Sequence, residues 1–323
     1  MSILITGSKG LIGSALKQAL EILNIEVKGL DNRFGLDDPE YGDILDEKLL
    51  SSVAESVSGI VHLAAVSRVI DGEKKPKLCW TTNVEGTRNV VNAAFSSKKR
   101  PWVLYASSRE VYGNQKDFPV KESACLSPVN IYGESKMEAE KVIGYAAQKG
   151  LTTSIVRFSN VFGSVHDHHD RVIPAFCRAA VEKKDIRCNG KDNLFDFTYL
   201  EDVIQGLLSL IFLISKTDES LPPVHLASGI PMNLGQIAAI AQCASHYPVN
   251  VVEGISRSFD VSKFWGDTDL AKRMLKWKAC VSVEEGIHRL INQYRLFFRI
   301  KNDQLNFNVG RTGQRASLNT ALL

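Results

Sequence analysis

The sequence has few features of secreted, metal-binding or nucleic-acid-binding proteins. Its six cysteines are widely separated and form no C-x-x-C pair, a pattern that disfavours zinc or dithiol chemistry and suggests reduced, buried thiols. It has no long basic run, and its formal net charge of +3 is spread over 39 basic and 36 acidic residues, so we expect no nucleic-acid partner. The longest apolar stretch, around residues 207–214, is far shorter than the ~20 residues that span a membrane, and no basic leader precedes the first apolar run. We therefore expect a cytoplasmic protein with no membrane partner.

The chain does contain short apolar runs that alternate with helix-length amphipathic segments. The runs are 3–5, 26–30, 59–64, 102–106 and 153–158. This alternation predicts an α/β fold with a Rossmann-type, doubly wound parallel sheet in residues 1–162, to which a segment near 190–205 returns. After about residue 160 the alternation weakens, and we predict helices at 172–183, 201–215, 234–244 and 284–297. Residues 163–300 should form a smaller, mixed α/β lobe for substrate, followed by a loosely attached tail, 301–323.

A glycine pattern directly follows the first apolar run and opens a predicted helix, 11–23. Gly7, Gly10 and Gly13 have the spacing G-x-x-G-x-x-G. Glycines permit a tight turn and a close approach of the backbone, and the helix N-terminus offers free N–H groups and a partial positive charge to a pyrophosphate. The pattern therefore predicts a dinucleotide-binding turn.

An acidic residue ends the second apolar run, where a dinucleotide's adenosine ribose is expected. Asp31 can accept hydrogen bonds from two ribose hydroxyls and repels a 2′-phosphate, which favours NAD over NADP. Arg33 could instead pair with that phosphate, so NADP stays open. Asp43 and Ile44 fit an adenine contact, although Asp43 also fits an ordinary turn.

A tyrosine and a lysine four residues apart suggest catalysis. A phenol titrates near pKa ~10, so it needs a cation to act as a base at neutral pH. On a helix, Tyr132 and Lys136 share a face, and the ammonium would favour the phenolate. The same spacing is common on ordinary surface helices. Here, however, Ser107 and Ser108 close the apolar run 102–106, where parallel sheets bind ligands, so the three features together predict hydride chemistry on a nucleotide cofactor.

Further motifs follow in a fixed order. They are His62-Leu63-Ala64-Ala65, Asn83-Val84-Glu85-Gly86-Thr87, Ser107-Ser108-Arg109-Glu110-Val111-Tyr112-Gly113, Tyr132-Gly133-x-x-Lys136, Arg157-Phe158-x-Asn160-Val161-Phe162-Gly163 and Asp196-Phe197-Thr198-Tyr199-x-x-Asp202-Val203. With the glycines and Asp31, this order resembles the extended short-chain dehydrogenase/reductases of the NAD-dependent epimerase/dehydratase family, which act on nucleotide sugars. The resemblance covers about residues 2 to 297.

The resemblance implies roles for individual residues. Tyr132 is implied to be the base and acid on the sugar hydroxyl, Lys136 to hold the nicotinamide ribose and lower the phenol pKa, and Ser108 to bind the reacting oxygen. Asn83 is implied to support the active-site helix, and Asn160 to contact the substrate phosphates. The predicted NAD-binding residues are Gly7, Gly10, Leu11, Ile12, Gly13, Asp31, Asn32, Asp43, Ile44, Leu63, Ala64, Ala65, Asn83 and Lys136.

The two residues after Ser108 bear on the reaction that follows oxidation of the sugar. Sugar 4,6-dehydratases of this family have an Asp-Glu pair there, one group to protonate the leaving oxygen and one to take a proton from carbon 5. Arg109 cannot act as that acid, so dehydration is disfavoured. Glu110, a candidate catalytic residue, resembles the Glu of UDP-glucuronate decarboxylases. Arg109 could pair with the carboxylate of a uronic acid or merely brace the loop.

We therefore predict an NAD-dependent 4-epimerase that acts on a UDP-hexuronate or UDP-hexose through a keto-sugar and holds its NAD tightly. The stretches 171–174 and 194–199 look closest to UDP-glucuronate 4-epimerase relatives. The alternatives are a UDP-glucuronate decarboxylase, a nucleotide-sugar reductase and a dinucleotide-binding sensor without catalysis. A sensor would have no need of an activated phenol.

One departure from the family concerns the substrate phosphates. Many members have an Arg before the Asp-Phe pair, where this chain has Phe195. Arg257 resembles a second phosphate-binding arginine of the family, and Arg171 or Arg187 could assist. The predicted substrate-binding residues are Ser108, Arg109, Asn160, Arg171 and Arg257.

Two other features have ordinary explanations as well as functional ones. The segment 166–170, His-Asp-His-His-Asp, has the residue types of a metal site, but consecutive residues seldom converge on one ion, so we predict no metal and a contact with substrate instead. Helices near 83–97 and 131–148 resemble those that pair in dimeric relatives, and we expect a homodimer. Val90, Val91 and Ala94 fit such an interface and a monomer core equally well.

Overall fold

The computed structural model describes residues 1–255 and 261–319, and the side chains of its last helix only as far as residue 301. The strands are β1 (Ser2–Thr6), β2 (Glu26–Leu30), β3 (Gly59–His62), β4 (Trp102–Ser108), β5 (Thr153–Phe158), β6 (Asn160–Phe162), β7 (Ile186–Asn189), β8 (Leu194–Tyr199), β9 (Val224–Leu226), β10 (Pro231–Asn233), β11 (Val251–Gly254) and β12 (Lys263–Phe264). The α-helices are α1 (Leu11–Ile22), α2 (Glu47–Ala54), α3 (Val69–Lys74), α4 (Pro76–Trp80), α5 (Gly86–Ser96), α6 (Ile131–Gln148), α7 (Val172–Glu182), α8 (Leu200–Ile214), α9 (Leu234–Cys243), α10 (Asp269–Leu275) and α11 (Val283–Asn319). A π-helical turn, Thr81–Glu85, precedes α5, and a 3₁₀ turn, Arg109–Tyr112, follows β4.

The larger sheet has six parallel strands in the order β2-β1-β3-β4-β5-β9. The chain passes from β1 to β2 on one side and then to β3 on the other, so the direction of winding reverses beside β1. In such sheets a crevice opens outside the carboxyl ends of the strands at the point of reversal. The predicted α/β, doubly wound class is confirmed, and the turn after β1 lies at this crevice.

Both faces of the larger sheet are buried, because alternate side chains of a strand point to opposite faces. Ile3 and Ile5 pack in a cluster with residues of α1 and α8, whereas Leu4 packs in a cluster with residues of α2, α5 and α6. Val90, Val91 and Ala94 belong to this second cluster, so they are core residues of the single chain. They give no support to a dimer interface.

The smaller lobe is built around β8, which pairs with antiparallel β10 and with parallel β12 and β6. A separate pair, β7 and β11, is parallel. Buried side chains of α7, α9 and α11 form the core of this lobe with the strands. The mixed α/β lobe predicted after residue 162 is therefore present, although Val111, Tyr112 and Val120 from the first half of the chain also pack in its core.

The boundaries differ from the predicted ones. Residues 194–199 form β8 in the smaller sheet, and the chain returns to the larger sheet with α8, which begins at Leu200, and then with β9, so only the end of the segment near 190–205 packs on the larger sheet. The reason lies in strand pairing and packing. Strand β8 pairs with strands of its own lobe, whereas the apolar side of α8 packs beside α1. Helix α11 continues from Val283 to Asn319, so most of the predicted tail is helical. None of the helices in the described residues is long and apolar enough to cross a membrane.

Candidate active site

The glycine turn lies against the loop that follows β3. Gly7 has a φ of +75°, and a Cβ atom there would lie 2.7 Å from the backbone nitrogen of Ala64, so the turn and the loop can approach only because this residue is glycine. A Cβ on Gly13 would overlap the carbonyl oxygen of Gly7. No side chain caps the N-terminus of α1, and the buried hydroxyl of Ser8 has no partner in the described part of the chain. Free N–H groups and a close backbone at this helix start suit a dinucleotide pyrophosphate.

Asp31 is buried at the end of β2, as predicted, but Arg33 already binds it. The Asp31 carboxylate accepts hydrogen bonds from the Lys9 backbone N–H at 3.0 Å and from Arg33 Nη2 at 2.7 Å. Burial by itself would raise the pKa of Asp31, yet the hydrogen bonds and charge of Arg33 lower it, so the group is ionised. Because Arg33 already binds Asp31, the residue that would bind a ribose, Arg33 is a weaker candidate for binding a 2′-phosphate.

The remaining predicted cofactor residues lie around the same crevice. Asn32 Nδ2 donates to Asp43 Oδ2 at 3.0 Å, which joins the end of β2 to the loop before α2. Ile44 is buried, and a Cβ on Gly86 would overlap its side chain. Leu63 follows β3 directly, with its N–H donating to the carbonyl of Thr6. These contacts bring the carboxyl ends of β1, β2 and β3 into one site.

Tyr132 lies in the first turn of α6, opposite Ser108 at the end of β4. Burial raises the pKa of Tyr132 to about 12, while a hydrogen bond with Ser108 and the positive charge of Arg171 act to lower it. The negative charge of Glu110 acts in the opposite direction. The structure therefore brings together the phenol and the serine hydroxyl that the sequence pairs as catalytic residues.

Lys136 is buried one turn further along α6. Its Nζ donates to the carbonyl of Ala106 at 2.8 Å and lies 4.9 Å from the centre of the Tyr105 ring. Burial lowers the pKa of Lys136 to about 8. The positive charge of Arg171 acts to lower the phenol pKa, an influence that the spacing of the sequence could not reveal. The idea that Lys136 lowers the phenol pKa stays a prediction.

Asn83 joins the loop after β3 to the helix that carries Tyr132. Its Oδ1 accepts the Val66 N–H at 2.8 Å, and its Nδ2 donates to Ser135 Oγ at 2.9 Å. Behind it lies a network that sequence reasoning missed: His62 Nε2 contacts Thr87 Oγ1 at 3.0 Å, and that hydroxyl donates to the Asn83 carbonyl. Because burial lowers the pKa of His62 to about 3, this imidazole is neutral and serves the packing of the site.

Arg109 and Glu110 form a buried ion pair beside Ser108. Arg109 Nη2 lies 2.9 Å from Glu110 Oε1, and the other carboxylate oxygen accepts from Asn130 Nδ2 at 2.9 Å. The guanidinium lies over the Phe195 ring, 4.4 Å from its centre. Its Nη1 has no hydrogen-bond partner among the described residues. The predicted ion pair between Arg109 and a substrate carboxylate would thus have to form while Glu110 holds the same guanidinium.

The predicted phosphate-binding residues are only partly brought together. Asn160 Nδ2 donates to the carbonyl of Asp196 at 3.1 Å. Arg171 precedes α7, and its Nη2 donates to the Ser67 carbonyl at 3.4 Å, close to the helix that carries Tyr132. Arg257 lies outside the described residues. Arg187 is on β7, which belongs to the smaller two-stranded sheet.

The histidine-rich segment 166–170 contacts the other lobe through its aspartate. Asp170 forms an ion pair with Arg68, which precedes α3. Asp167 is buried, and its Oδ1 accepts the N–H of His168 at 2.8 Å. Within the residues that the structure describes, no group of three or more His, Cys, Asp and Glu side chains is placed to hold a metal ion.

Two further residues of the site were missed. Asn130 is the N-cap of α6, accepting the Gly133 N–H at 2.8 Å, and a preference of Asn for this position was the available signal. Asp196 is fully buried, and its Oδ2 accepts the Gly266 N–H at 3.0 Å. Burial raises the pKa of Asp196 to about 6, and the nearby charge of Arg109 acts to lower it. No local pattern pointed to this residue as a neighbour of Arg109.

Known proteins resemble this chain in sequence and fold over most of its length. The profile of the NAD dependent epimerase/dehydratase family matches residues 3–220. A UDP-glucose 4-epimerase of Lacticaseibacillus casei is 29% identical over 308 residues, which cover 86% of this chain and 92% of that protein. A UDP-glucuronate 4-epimerase of Thermodesulfobacterium geofontis is 28% identical over 262 residues, 77% of each chain. Among solved structures, MoeE5 in complex with UDP-glucuronic acid and NAD superimposes with a TM-score of 0.83 at 25% identity, covering 91% of this chain and 99% of that one.

Proposed function

Because this chain belongs to the NAD dependent epimerase/dehydratase family, we propose that it epimerises a UDP-linked hexose or hexuronate at carbon 4. The observation that carries the proposal is that the first turn of α6, which holds the buried Tyr132, packs directly on the loop after Ser108 at the carboxyl edge of the larger sheet: a Cβ on Gly133 would lie 2.6 Å from the Glu110 carbonyl oxygen, and the Glu110 N–H donates to Ser108 Oγ at 3.2 Å. A phenol and a hydroxyl in this position can bind one sugar hydroxyl between them and exchange its proton. The NAD of this family, when bound, supplies the acceptor and donor of the hydride at the sugar carbon.

The residues of the glycine turn fit that cofactor. The backbone of Gly7, Gly10 and Gly13 leaves room at the start of α1 for the two phosphates, and the ionised Asp31 can accept from a ribose. Lys136, whose ammonium is buried beside the catalytic strand, would donate to the second ribose. Asp31 and its contact with Arg33 favour NAD over NADP, because a 2′-phosphate would meet a carboxylate.

In the proposed reaction, the ionised Tyr132 takes the proton of the sugar hydroxyl while Ser108 holds the oxygen. Arg171 favours ionisation of the phenol, against the effect of burial. Transfer of the carbon 4 hydride to the bound cofactor would leave a keto-sugar. After this sugar turns over in the site, the hydride would return to the opposite face of carbon 4, and Tyr132 would give the proton back to the oxygen. Asn160 and Arg171 would hold the substrate's diphosphate while the sugar rotates.

The decarboxylase alternative is less favoured. It was suggested by Glu110, but this buried carboxylate is already ion-paired with Arg109 and accepts a hydrogen bond from Asn130. A reductase would have to release its oxidised cofactor and bind a reduced one in each turnover, whereas an epimerase regenerates its NAD in the site and has no need to exchange it. A sensor without catalysis would not need the Ser108 and Tyr132 pair.

A homodimer in the cytoplasm remains part of the proposal. Tyr145 is an exposed aromatic residue on α6, one of the two helices by which dimeric relatives are expected to pair. It is a better candidate for the interface than the core residues of α5. A mass measurement of the protein in solution would test this expectation.

The central experiment uses the purified protein with no added NAD. We expect the enzyme to convert UDP-glucose or UDP-glucuronate to its galacto isomer. We also expect denaturation of the protein to release NAD, which mass analysis would detect. Nucleotide-sugar mixtures that remain unchanged would contradict the proposal. Release of carbon dioxide from UDP-glucuronate would favour the decarboxylase, and rapid exchange of added NADH or NADPH would favour a reductase.

A further inference from the structure

One ion pair and two hydrogen bonds connect Arg109 to the helix that carries Tyr132. Arg109 Nη2 contacts Glu110 Oε1 at 2.9 Å, and Glu110 Oε2 accepts from Asn130 Nδ2 at 2.9 Å. Asn130 Oδ1 in turn accepts the Gly133 N–H at 2.8 Å, which caps α6. The three side chains are nine-tenths or more buried, so these bonds are sheltered from water. We call these three residues the Arg109–Asn130 relay.

The same relay begins at the catalytic serine. The Glu110 N–H donates to Ser108 Oγ at 3.2 Å. Glu110 therefore contacts Ser108 through its backbone, and through its side chain it contacts Asn130, which caps the helix of Tyr132. A Cβ on Gly133 would lie 2.6 Å from the carbonyl oxygen of Glu110, so the first turn of α6 packs directly on this loop. Ser108 and Tyr132 therefore share one support.

The geometry of Glu110 does not suit a group that moves protons. One carboxylate oxygen is paired with the Arg109 guanidinium and the other accepts from Asn130, so protonation would turn one oxygen into a donor that faces another donor. To take a proton from a sugar, Glu110 would have to release Arg109 or Asn130 inside the protein. Leaving either donor unpaired carries a substantial cost.

We propose that Glu110 is a positioning residue, which acts with Arg109 and Asn130 to hold the Tyr132 phenol at its working distance from the Ser108 hydroxyl. The inference rests on the proposed function, because it takes that pair as the reacting one. It reassigns the residue that the sequence marked as a candidate catalytic acid or base. It also gives a reason for an arginine after Ser108, since Arg109 neutralises the buried carboxylate.

Two substitutions test the relay in different ways. Asn130→Ser keeps a good N-cap for α6, but a serine hydroxyl that caps Gly133 cannot also reach Glu110. Glu110→Gln places an amide N–H₂ opposite one of the two donors, so one bond of the relay is lost. Glu138→Gln is the matched control, because it makes the same chemical change on α6 at a surface pair with Lys141.

We expect each relay variant to lower kcat about tenfold, with the KM for the UDP-sugar changed less than about twofold, because misplacement of reacting groups by a fraction of an ångström slows the chemical step. The control should keep wild-type kinetics. If one relay carries both effects, the double variant Glu110→Gln/Asn130→Ser should be no slower than the slower single variant. A double variant whose loss is the product of the two single losses would overturn the proposal.

The pH profile separates positioning from proton transfer. The pKa of the Tyr132 phenol depends on its burial and on four neighbouring groups: the Ser108 hydroxyl, Arg171, Glu110 and Cys79. Glu110 raises the phenol pKa, so Glu110→Gln should move the rise of kcat to lower pH, while Asn130→Ser should leave it in place. Loss of activity at every pH by about 10³-fold or more in Glu110→Gln would instead identify a proton-transfer group.

Two controls accompany these measurements: the folding of each variant and the epimerase activity of the wild-type protein. Circular dichroism and thermal melting of each variant would show whether a slow variant is still folded, and a folded relay variant with wild-type kcat and pH profile would overturn the inference alone. If wild type and Glu138→Gln both fail to epimerise any UDP-sugar, the proposed function fails, and the relay fails with it.

Discussion

Within residues 1–255 and 261–301, the structure has two buried arginine–glutamate pairs, which differ in how fully their hydrogen-bonding groups are satisfied. Arg157 binds both oxygens of Glu140, at 2.8 and 2.6 Å, and also donates to the Tyr112 hydroxyl at 2.7 Å. Arg109 makes one contact with Glu110, at 2.9 Å, and its Nη1 has no partner within the described residues. We call Arg157–Glu140 the closed pair, because its donors are satisfied, and Arg109–Glu110 the open pair, because among the same residues Arg109 Nη1 is not.

The positions of the two pairs explain the difference. Arg157 is on β5 and Glu140 is one turn beyond Lys136 on α6, so the closed pair fixes the catalytic helix to the larger sheet. A buried ion pair is tolerated only where its charges and donors are satisfied. The open pair stands between Ser108 and the start of α6, where an unsatisfied donor can serve a ligand. The fully bonded pair, Arg157 and Glu140, therefore supports the fold, whereas the incompletely bonded pair, Arg109 and Glu110, lies at the candidate site.

Matched substitutions of arginine by lysine give the largest expected difference between the pairs. Arg157→Lys replaces a forked guanidinium by a single ammonium, which cannot keep all the bonds to Glu140 and Tyr112, so we expect the free energy of unfolding to fall by about 2–4 kcal/mol. Urea unfolding monitored by circular dichroism would measure it. A change below about 1 kcal/mol would mean that the closed pair is not a major support of the fold.

The same change at the open pair should affect catalysis more than stability. In Arg109→Lys, an ammonium can still bind Glu110, so we expect the free energy of unfolding to change by about 1 kcal/mol or less. The spare Nη1 and the stacking on Phe195 are lost, and kcat/KM should fall about tenfold. If Arg109→Lys instead destabilised the protein as much as Arg157→Lys, the distinction between the two pairs would be wrong.

The last prediction concerns Arg171, which belongs to neither pair, and its effect on the phenol should be only a shift of the pH profile. Arg171 acts to lower the pKa of the Tyr132 phenol, so Arg171→Gln should raise that pKa. Because the ionised phenol is the proposed active form, kcat/KM should rise at higher pH than in wild type, whereas loss of the proposed diphosphate contact would raise KM at every pH. A pH profile measured on the nucleotide sugar would show the shift, and an unchanged profile would indicate that Arg171 acts on substrate alone.

Much of the fold followed from local pattern. The predicted helices at 172–183, 201–215 and 234–244 are confirmed within a residue or two by α7, α8 and α9. The five apolar runs all became strands of the larger sheet, and the central strands β1, β3, β4 and β5 did so because a buried parallel strand is apolar on both faces. The sixth strand, β9, has only three residues, and a run that short has no pattern by which to recognise it.

The sequence by itself determined the glycine turn, Asp31 and the spacing of Tyr132 and Lys136, because each depends on residues close together in the chain. Only the tertiary structure decided which charges reach the phenol and what Glu110 does. Arg171 comes from the start of α7, and Asn130 lies 20 residues beyond Glu110, so their contacts depend on how the loops after β4 and β6 pack on α6. Electrostatic effects act through space, and the distances through space are set by packing that no short motif encodes.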